Sequence, residues 1–227
     1  MRRLIVLRPE PGNARTCAAI RAAGGEAIPL PLFEVRAVEW AAPDPATFDA
    51  LVLTSANAVR HAGPKLESFA PLPVVAVGAA TARAAEAAGL TVAAVGEGDA
   101  GDLPPLLTRI GSRAPLHLTG REHRDLGAGR TIAVYASEAI EGVDAAPLIG
   151  ATALVHSARA GERLAQIVDA AGLDRAGTAI AAISPAALAA TGMGWATTAI
   201  APSPRDDALI AAALSIDRPV ARGDKTA

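Results

Sequence analysis

At 227 residues, the chain is long enough for one large core or for two of roughly 100 residues each. The net charge of -2 lacks the basic face that nucleic-acid binders present. A single cysteine, Cys17, leaves no internal disulfide to form and fits a reducing cytoplasm.

The N-terminus reads as too short for a signal-peptide core, with only four apolar residues between Arg2-Arg3 and Arg8-Pro9. The spacing predicts a strand over Leu4–Leu7, a helix over Asn13–Ala23 ended by Gly24-Gly25, and a second strand over Ala27–Leu32. Further strands are predicted at Asp49–Leu53, with a helix from Ala56, and at Val74–Val77, with a helix over Thr81–Ala88. Thr91–Val95 is a strand, and Leu106–Ile110 sits in a helix that opens on Pro104 and Pro105 and is capped by Asp102. Leu116–Thr119 and Thr131–Tyr135 follow as strands. The last third alternates again: strand Ala153–His156, helix Glu162–Ala171, strand Ala179–Ile183, a helix from Ala186, strand Thr197–Ile200 and helix Asp206–Ser215.

No charged residue lies between Arg175 and Arg205. That length could cross a bilayer, but the stretch is rich in alanine and threonine and holds Ser184-Pro185, Gly192 and Gly194, so it is expected to be a buried strand–helix–strand unit. Strands alternating with helices imply α/β architecture with parallel sheets. Arg36–Pro45 and Ser137–Pro147 lack a clean period and read as linkers. If both cross between domains, residues 1–36 and 138–218 form one discontinuous domain, 37–137 form an inserted second, and 219–227 are a flexible tail.

A faint repeat supports two similar halves. LVLTSANAVRHAG at 51–63 resembles ALVHSARAGERLA at 153–165, and VVAVGAATARAAEAAG at 74–89 resembles AIAAISPAALAATG at 179–192. Each half therefore offers two strand-to-helix turns with small polar residues: Thr54-Ser55-Ala56-Asn57 and Gly78 with Thr81 in one, Ser157 and Ser184 in the other. Taken singly, these residues are explained as helix caps. As a repeated set at the ends of parallel strands, they would ring one cleft and offer amides and hydroxyls to an anion, if the two domains face each other.

Other motifs are weaker. Gly96-Glu97-Gly98-Asp99-Ala100-Gly101 matches the dinucleotide fingerprint formally, but its acidic residues and the following prolines disfavour a pyrophosphate. His61, His117, His123 and His156 have no ligand spacing among themselves or with Cys17; His117, between Leu116 and Leu118, reads as the opposite face of a strand. Arg8 at the first strand's end, and Arg121 or Arg124 after Gly120, are candidate carboxylate partners or simply solvated cations. Tyr135, the only tyrosine, is either packing or a weak acid at a domain crossover.

The ordered set LIVLRPEPGN, IPLPLFEV, FDALVLTSANAVR, VVAVGAATARAAEAAG, LHLTG, IAVYAS, ALVHSARA and AIAAISPAALAA resembles the uroporphyrinogen-III synthase family over most of residues 4–215. The resemblance implies two flavodoxin-like parallel-sheet domains joined by a two-stranded hinge. It implies a cyclising hydro-lyase that converts hydroxymethylbilane into uroporphyrinogen III with inversion of ring D and loss of water, without metal or organic cofactor. It also implies a cytoplasmic monomer without nucleic-acid or membrane partners, with room for a transient contact with the preceding enzyme. On this reading Arg8, Thr54, Ser55, Ala56, Asn57, Gly78, Thr81, Gly120, Arg121, Ser157 and Ser184 bind substrate, and Tyr135 assists departure of the hydroxyl. Two departures stand out: only residues 121–130 are available where the family has a helix, and Ala187 stands where many members carry threonine. A non-enzymatic two-domain binder of small anions is the principal alternative, and a flavin or nucleotide enzyme of flavodoxin type is a second.

Overall fold

A computed structural model describes residues 3–98, 100–127 and 129–216; the tail expected at 219–227 lies outside them. The chain divides into two compact units. One comprises the residues up to Glu34 together with those from Ala139 onward, and the other is Val35–Glu138.

The first unit carries β1 (Arg3–Val6), α1 (Gly12–Ala22), β2 (Glu26–Pro29), β9 (Thr152–Val155), α5 (Ala158–Ala170), β10 (Ala179–Ala182), α6 (Pro185–Ala189), β11 (Thr198–Ile200) and α7 (Asp206–Ser215). Its sheet has the order β11-β10-β9-β1-β2, and every pairing is parallel. Side chains alternate between two apolar layers. Ile5 and Leu7 pack with Leu164, Val168 and Ala187 of α5 and α6, while Leu4 and Val6 pack with Cys17, Ile20, Leu209 and Ala213 of α1 and α7. Burial on both faces explains why β1 reads as a continuous apolar run. Alanine and glycine let the helices lie close; a Cβ at Gly161 of α5 would stand 2.8 Å from the Ala187 carbonyl of α6. The charge-free stretch forms β10, α6 and β11, as its composition predicts, and among the described residues no helix is long and apolar enough to cross a membrane.

The second unit carries β4 (Ala50–Leu53), α2 (Ala56–His61), β5 (Val74–Ala76), α3 (Ala79–Ala87), β6 (Val92–Val95), α4 (Leu103–Arg109) and β7 (Pro115–Gly120). β3 (Phe33–Ala37) and β8 (Arg130–Ala139) complete its six-stranded sheet, in the order β3-β8-β7-β4-β5-β6. Pairings from β8 to β6 are parallel. β3 runs antiparallel to β8: Val38 N donates to Val134 O and Ile140 N to Leu32 O, so one index falls as the other rises. Leu51 and Leu53 face α2 and α3, and Ala50 and Val52 face Leu103 and Leu107 of α4.

The boundaries between the units fall inside β3 and β8, so the segments read as linkers begin as paired strands. Neither shows a clean apolar alternation, because each changes its surroundings part-way along. Asp102 also differs from expectation. It occupies the cap position of α4 but makes no side-chain cap bond there; its Oδ2 accepts from Glu97 N at 3.0 Å and braces the preceding loop.

Each unit holds one of the two tryptophans. Trp40 stacks on Phe69 with ring centroids 6.1 Å apart and donates from Nε1 to Ala62 O; Trp195 donates to Thr191 O beneath the guanidinium of Arg175. Phe69 is fully buried, so Phe69→Ala leaves a cavity and is expected to cost about 3–5 kcal/mol. Urea unfolding followed by Trp40 emission in a Trp195→Phe background should show that loss. Trp195 emission in a Trp40→Phe background reads the first unit, where no cavity is made.

Candidate functional site

A strand buried on both faces has no room for chemistry along its length, so polar groups collect where strands end and helices begin. In an open parallel sheet the crevice lies where the strand order reverses. In the first unit β2 lies on one side of β1 and β9 on the other; in the second, β5 lies on one side of β4 and β7 on the other. The reversals therefore fall between β1 and β9, and between β4 and β7. Arg8 and Ser157 follow the first pair of strands; Thr54-Ser55 and Gly120-Arg121 stand at the ends of the second.

The serines of the repeated turns are helix caps. Ser55 Oγ accepts from Asn57 N at 3.1 Å, Ser157 Oγ from Ala160 N at 3.2 Å, and Ser184 Oγ from Ala187 N at 3.2 Å. Capping uses an oxygen lone pair and leaves the hydroxyl hydrogen available to a ligand. The turn near Thr81 is built differently. Gly78 takes the cap position of α3, and Thr81 lies within the helix and is buried. Ala56 opens α2, and the Asn57 side chain accepts from Arg60 Nη1 at 3.0 Å.

The glycine-rich loop after β6 folds onto this end of β5. Gly96 N donates to Ala76 O and Gly98 N to Val77 O, both at 2.9 Å, and Glu97 N is taken by Asp102. A Cβ at Gly96 would come within 2.8 Å of Val77 O. The glycines thus serve close backbone approach, and the amides of residues 96–98 are already engaged. Asp99 of this motif lies outside the described residues.

Around Thr54 lies a network that the sequence left unassembled. Thr54 Oγ1 is 3.0 Å from His117 Nε2 and 3.2 Å from Thr119 Oγ1, so a residue that follows β4 is tied across the reversal to β7. His117 and Thr119 are buried. Burial, reinforced by the neighbouring charge of His123, lowers the His117 pKa to about 4, which keeps the ring neutral at neutral pH. His117 Nδ1 is buried with no partner among the described residues. His123 stands edge-on to this ring at 6.1 Å and its Nδ1 lies 3.0 Å from Gly120 O.

Tyr135 lies at the same strand ends. Its ring packs against Gly120, where a Cβ would sit 2.8 Å from Cε2 and Cζ, and its carbonyl accepts from Arg121 N at 2.9 Å. The ring of His61 lies 6.2 Å away. Burial first, and the Arg60 charge second, hold the His61 pKa below its usual value. Arg121 is 58% exposed and reaches Glu138 at 3.5 Å. Residues 121–127 form no helix, in keeping with the shortened segment.

In the first unit the corresponding network centres on Asp206, in the first turn of α7. Asp206 Oδ2 accepts from Thr16 Oγ1 at 2.7 Å and Oδ1 from His156 Nε2 at 2.8 Å, and Arg8 Nη1 lies 3.5 Å from Oδ1. Burial alone would raise the Asp206 pKa, but the bonds from His156 and Thr16 and the charges of His156 and Arg8 outweigh it and leave it lowered. The ionised carboxylate requires a proton on His156 Nε2, which leaves Nδ1 as the other nitrogen of the ring. That Nδ1 is also buried and without a partner among the described residues. Thr16, Thr119, His117, His156 and Asp206 were absent from the residues predicted to form the site. The repeat held one signal, since Thr54 and His156 occupy the same place before the capping serine. Among the described residues no group of three or more His, Cys, Asp or Glu side chains could hold a metal ion.

His117 gives a pH signature. Its folded pKa of about 4 lies below the ordinary 6.5, so below pH 6.5 the unfolded chain binds the proton that the folded chain refuses. Its contribution to stability is complete above pH 6.5 and is lost as pH falls through about 4. From about pH 7 to about pH 4.5 the wild type should lose about 2–3 kcal/mol more than His117→Gln, measured by urea unfolding at both pH values.

The family model described as uroporphyrinogen-III synthase HemD matches residues 14–128, just over half of the chain. No curated protein matches it. Among solved structures, uroporphyrinogen-III synthetase from Helicobacter pylori superposes with a TM-score of 0.65 at 19% identity, over 96% of this chain and 100% of that one. Wild-type uroporphyrinogen III synthase from the extremely thermophilic bacterium Thermus thermophilus gives 0.41 at 18% identity, over 93% and 96% of the two chains. With doubly wound parallel sheets in both units and the family model spanning half of the sequence, the chain belongs to the uroporphyrinogen-III synthase family.

Proposed function

We propose that this chain catalyses the reaction of its family, closing hydroxymethylbilane to uroporphyrinogen III with loss of water. The observation that carries the reading is the family match over residues 14–128. The chemistry explains what such a protein must supply. Expulsion of the hydroxyl is driven by a pyrrole nitrogen lone pair and gives an azafulvene, and attack through the substituted α-position of ring D gives a spiro intermediate that fragments and recloses inverted. The unassisted route attacks through the free α-carbon and gives the type I ring. Selecting the harder route is a matter of holding the chain folded, so orientation is the principal contribution asked of the protein.

Peripheral carboxylates are the handles for that orientation. We assign them to the guanidinium groups of Arg8 and Arg121, to the hydroxyl hydrogens of Thr54, Ser55, Thr81, Ser157 and Ser184, to the side-chain amide of Asn57, and to the backbone at Ala56, Gly78 and Gly120. Their placement at strand ends supports this reading, with helix N-termini beside all but Gly120 and Arg121. Tyr135 is assigned to departure of the hydroxyl, as a donor direct or through water. Its support is position: the ring is only partly buried and lies against Gly120 at the end of β7. We further assign residues 1–36 with 138–218, and residues 37–137, to separate domains that move during turnover, with the chain acting as a cytoplasmic monomer.

The deciding assay supplies hydroxymethylbilane and separates the oxidised type I and type III isomers; type III enrichment is expected, and type I alone would refute the proposal. Tyr135→Phe should lower kcat about tenfold while keeping the type III product, because the pyrrole supplies most of the driving force. Gly120→Ala forces the Tyr135 ring to shift and should lower kcat to a similar extent, with no further loss when the two substitutions are combined. An undiminished rate in Tyr135→Phe removes that assignment.

A further inference from the structure

Three groups surround the Asp206 carboxylate, and they do not hold it equally. Thr16 is fully buried and donates at 2.7 Å; the His156 side chain is 9% exposed and donates at 2.8 Å. Arg8 comes within 3.5 Å through Nη1, a longer approach than either bond, and its side chain and that of Asp206 are 31% and 33% exposed. Arg8 also lies directly over Gly12, where a Cβ would collide with its Nε, so the guanidinium rests on the first turn of α1 at the β1–β9 reversal.

This inequality decides what happens when another carboxylate arrives. A guanidinium grips a carboxylate best with two short parallel N–H bonds, and the 3.5 Å approach to Asp206 is too long for that grip. If Arg8 turns to an incoming carboxylate, Asp206 keeps the bonds from Thr16 and His156 and is not left as an unpaired buried charge. Its own negative charge stays beside the newcomer and opposes it. We propose that Asp206 is an internal carboxylate that holds Arg8 in the ligand-free chain, yields it to a peripheral carboxylate of the tetrapyrrole, and limits how tightly this end of the sheet grips the polyanion. The proposal rests on the assignment of Arg8 to substrate binding. It has a chemical rationale: no peripheral carboxylate reacts, and those of the rings that are not inverted keep their places from substrate to product, so overtight gripping of them slows release without lowering the barrier.

The sign of the effect on KM separates this role from a positioning role for Asp206. Asp206→Asn keeps an acceptor for His156 and removes the charge; KM for hydroxymethylbilane should fall roughly three- to tenfold, with the inhibition constant of uroporphyrinogen III falling alongside it. Thr16→Val has the same shape but withdraws a bond from Asp206, leaving the carboxylate more dependent on Arg8, so KM should rise about two- to threefold. Melting temperatures of all variants check that the fold is kept. A KM for Asp206→Asn equal to or above wild type overturns the proposal, as does an unmoved or lowered KM in Thr16→Val. Arg8→Gln separates substrate contact by Arg8 from its restraint by Asp206. A raised KM there with no fall in Asp206→Asn defeats only the holding role. An unchanged KM removes Arg8 from substrate contact, and the inference with it, while the isomer assay still decides the reaction.

Discussion

Burial of the central strands on both faces governs this molecule. Arg3–Val6, Ala50–Leu53, Thr152–Val155 and Ala179–Ala182 run between layers of helices, and each large aliphatic side chain removed from water contributes roughly 1.5–3 kcal/mol. A charged or hydrogen-bonding group in the middle of such a strand would lose its hydration without compensation. In these four strands polar side chains are therefore displaced to the ends, where the helices that follow leave first-turn amides unpaired, and His117 inside β7 is accommodated by its contact with Thr54 and its neutral ring. The buried architecture and the placement of its polar residues are one constraint seen from two sides.

At the two reversals the same problem is met by different chemistry. Thr54 and His156 occupy equivalent places in the repeat, each directly before a capping serine. Thr54 reaches sideways to His117 and Thr119 on the neighbouring strand, whereas His156 reaches to a carboxylate at the start of α7. Both arrangements leave a histidine Nδ1 buried and without a partner among the described residues. Their electrostatics diverge: the first network is neutral because burial suppresses protonation of His117, and the second carries an ionised aspartate whose charge is shared with Arg8.

Glycine and alanine set the distances on which these ends depend. Gly120 admits the Tyr135 ring, Gly12 admits the Arg8 side chain, and Gly96 lets the loop after β6 close over the end of β5. Gly129, at φ +75°, lets the chain enter β8 past the Pro115 carbonyl, which is how so short a connection from β7 can be made without a helix. The abundance of small residues is therefore part of the packing, though nothing in their frequency reveals which of them stand at such approaches.

The sequence by itself determined the element types, the parallel sheets and the turns that follow their strands, because these depend on local periodicity and on capping chemistry between near neighbours. Leu4–Leu7 and Asp206–Ser215 were legible for that reason, as were Ser55, Ser157 and Ser184. It left Phe33–Ala37 in an unresolved run, since that strand's partner is β8, far along the chain, and its surroundings change along its length. Only the tertiary structure decided which polar groups meet. Thr16 and Asp206 lie 190 positions apart and Thr54 and His117 lie 63 apart, and each pair is joined by strand order and helix packing, which no local pattern encodes. A histidine between two leucines and an aspartate opening a helix each had an ordinary explanation in the sequence; contact across the fold gave them their protonation states.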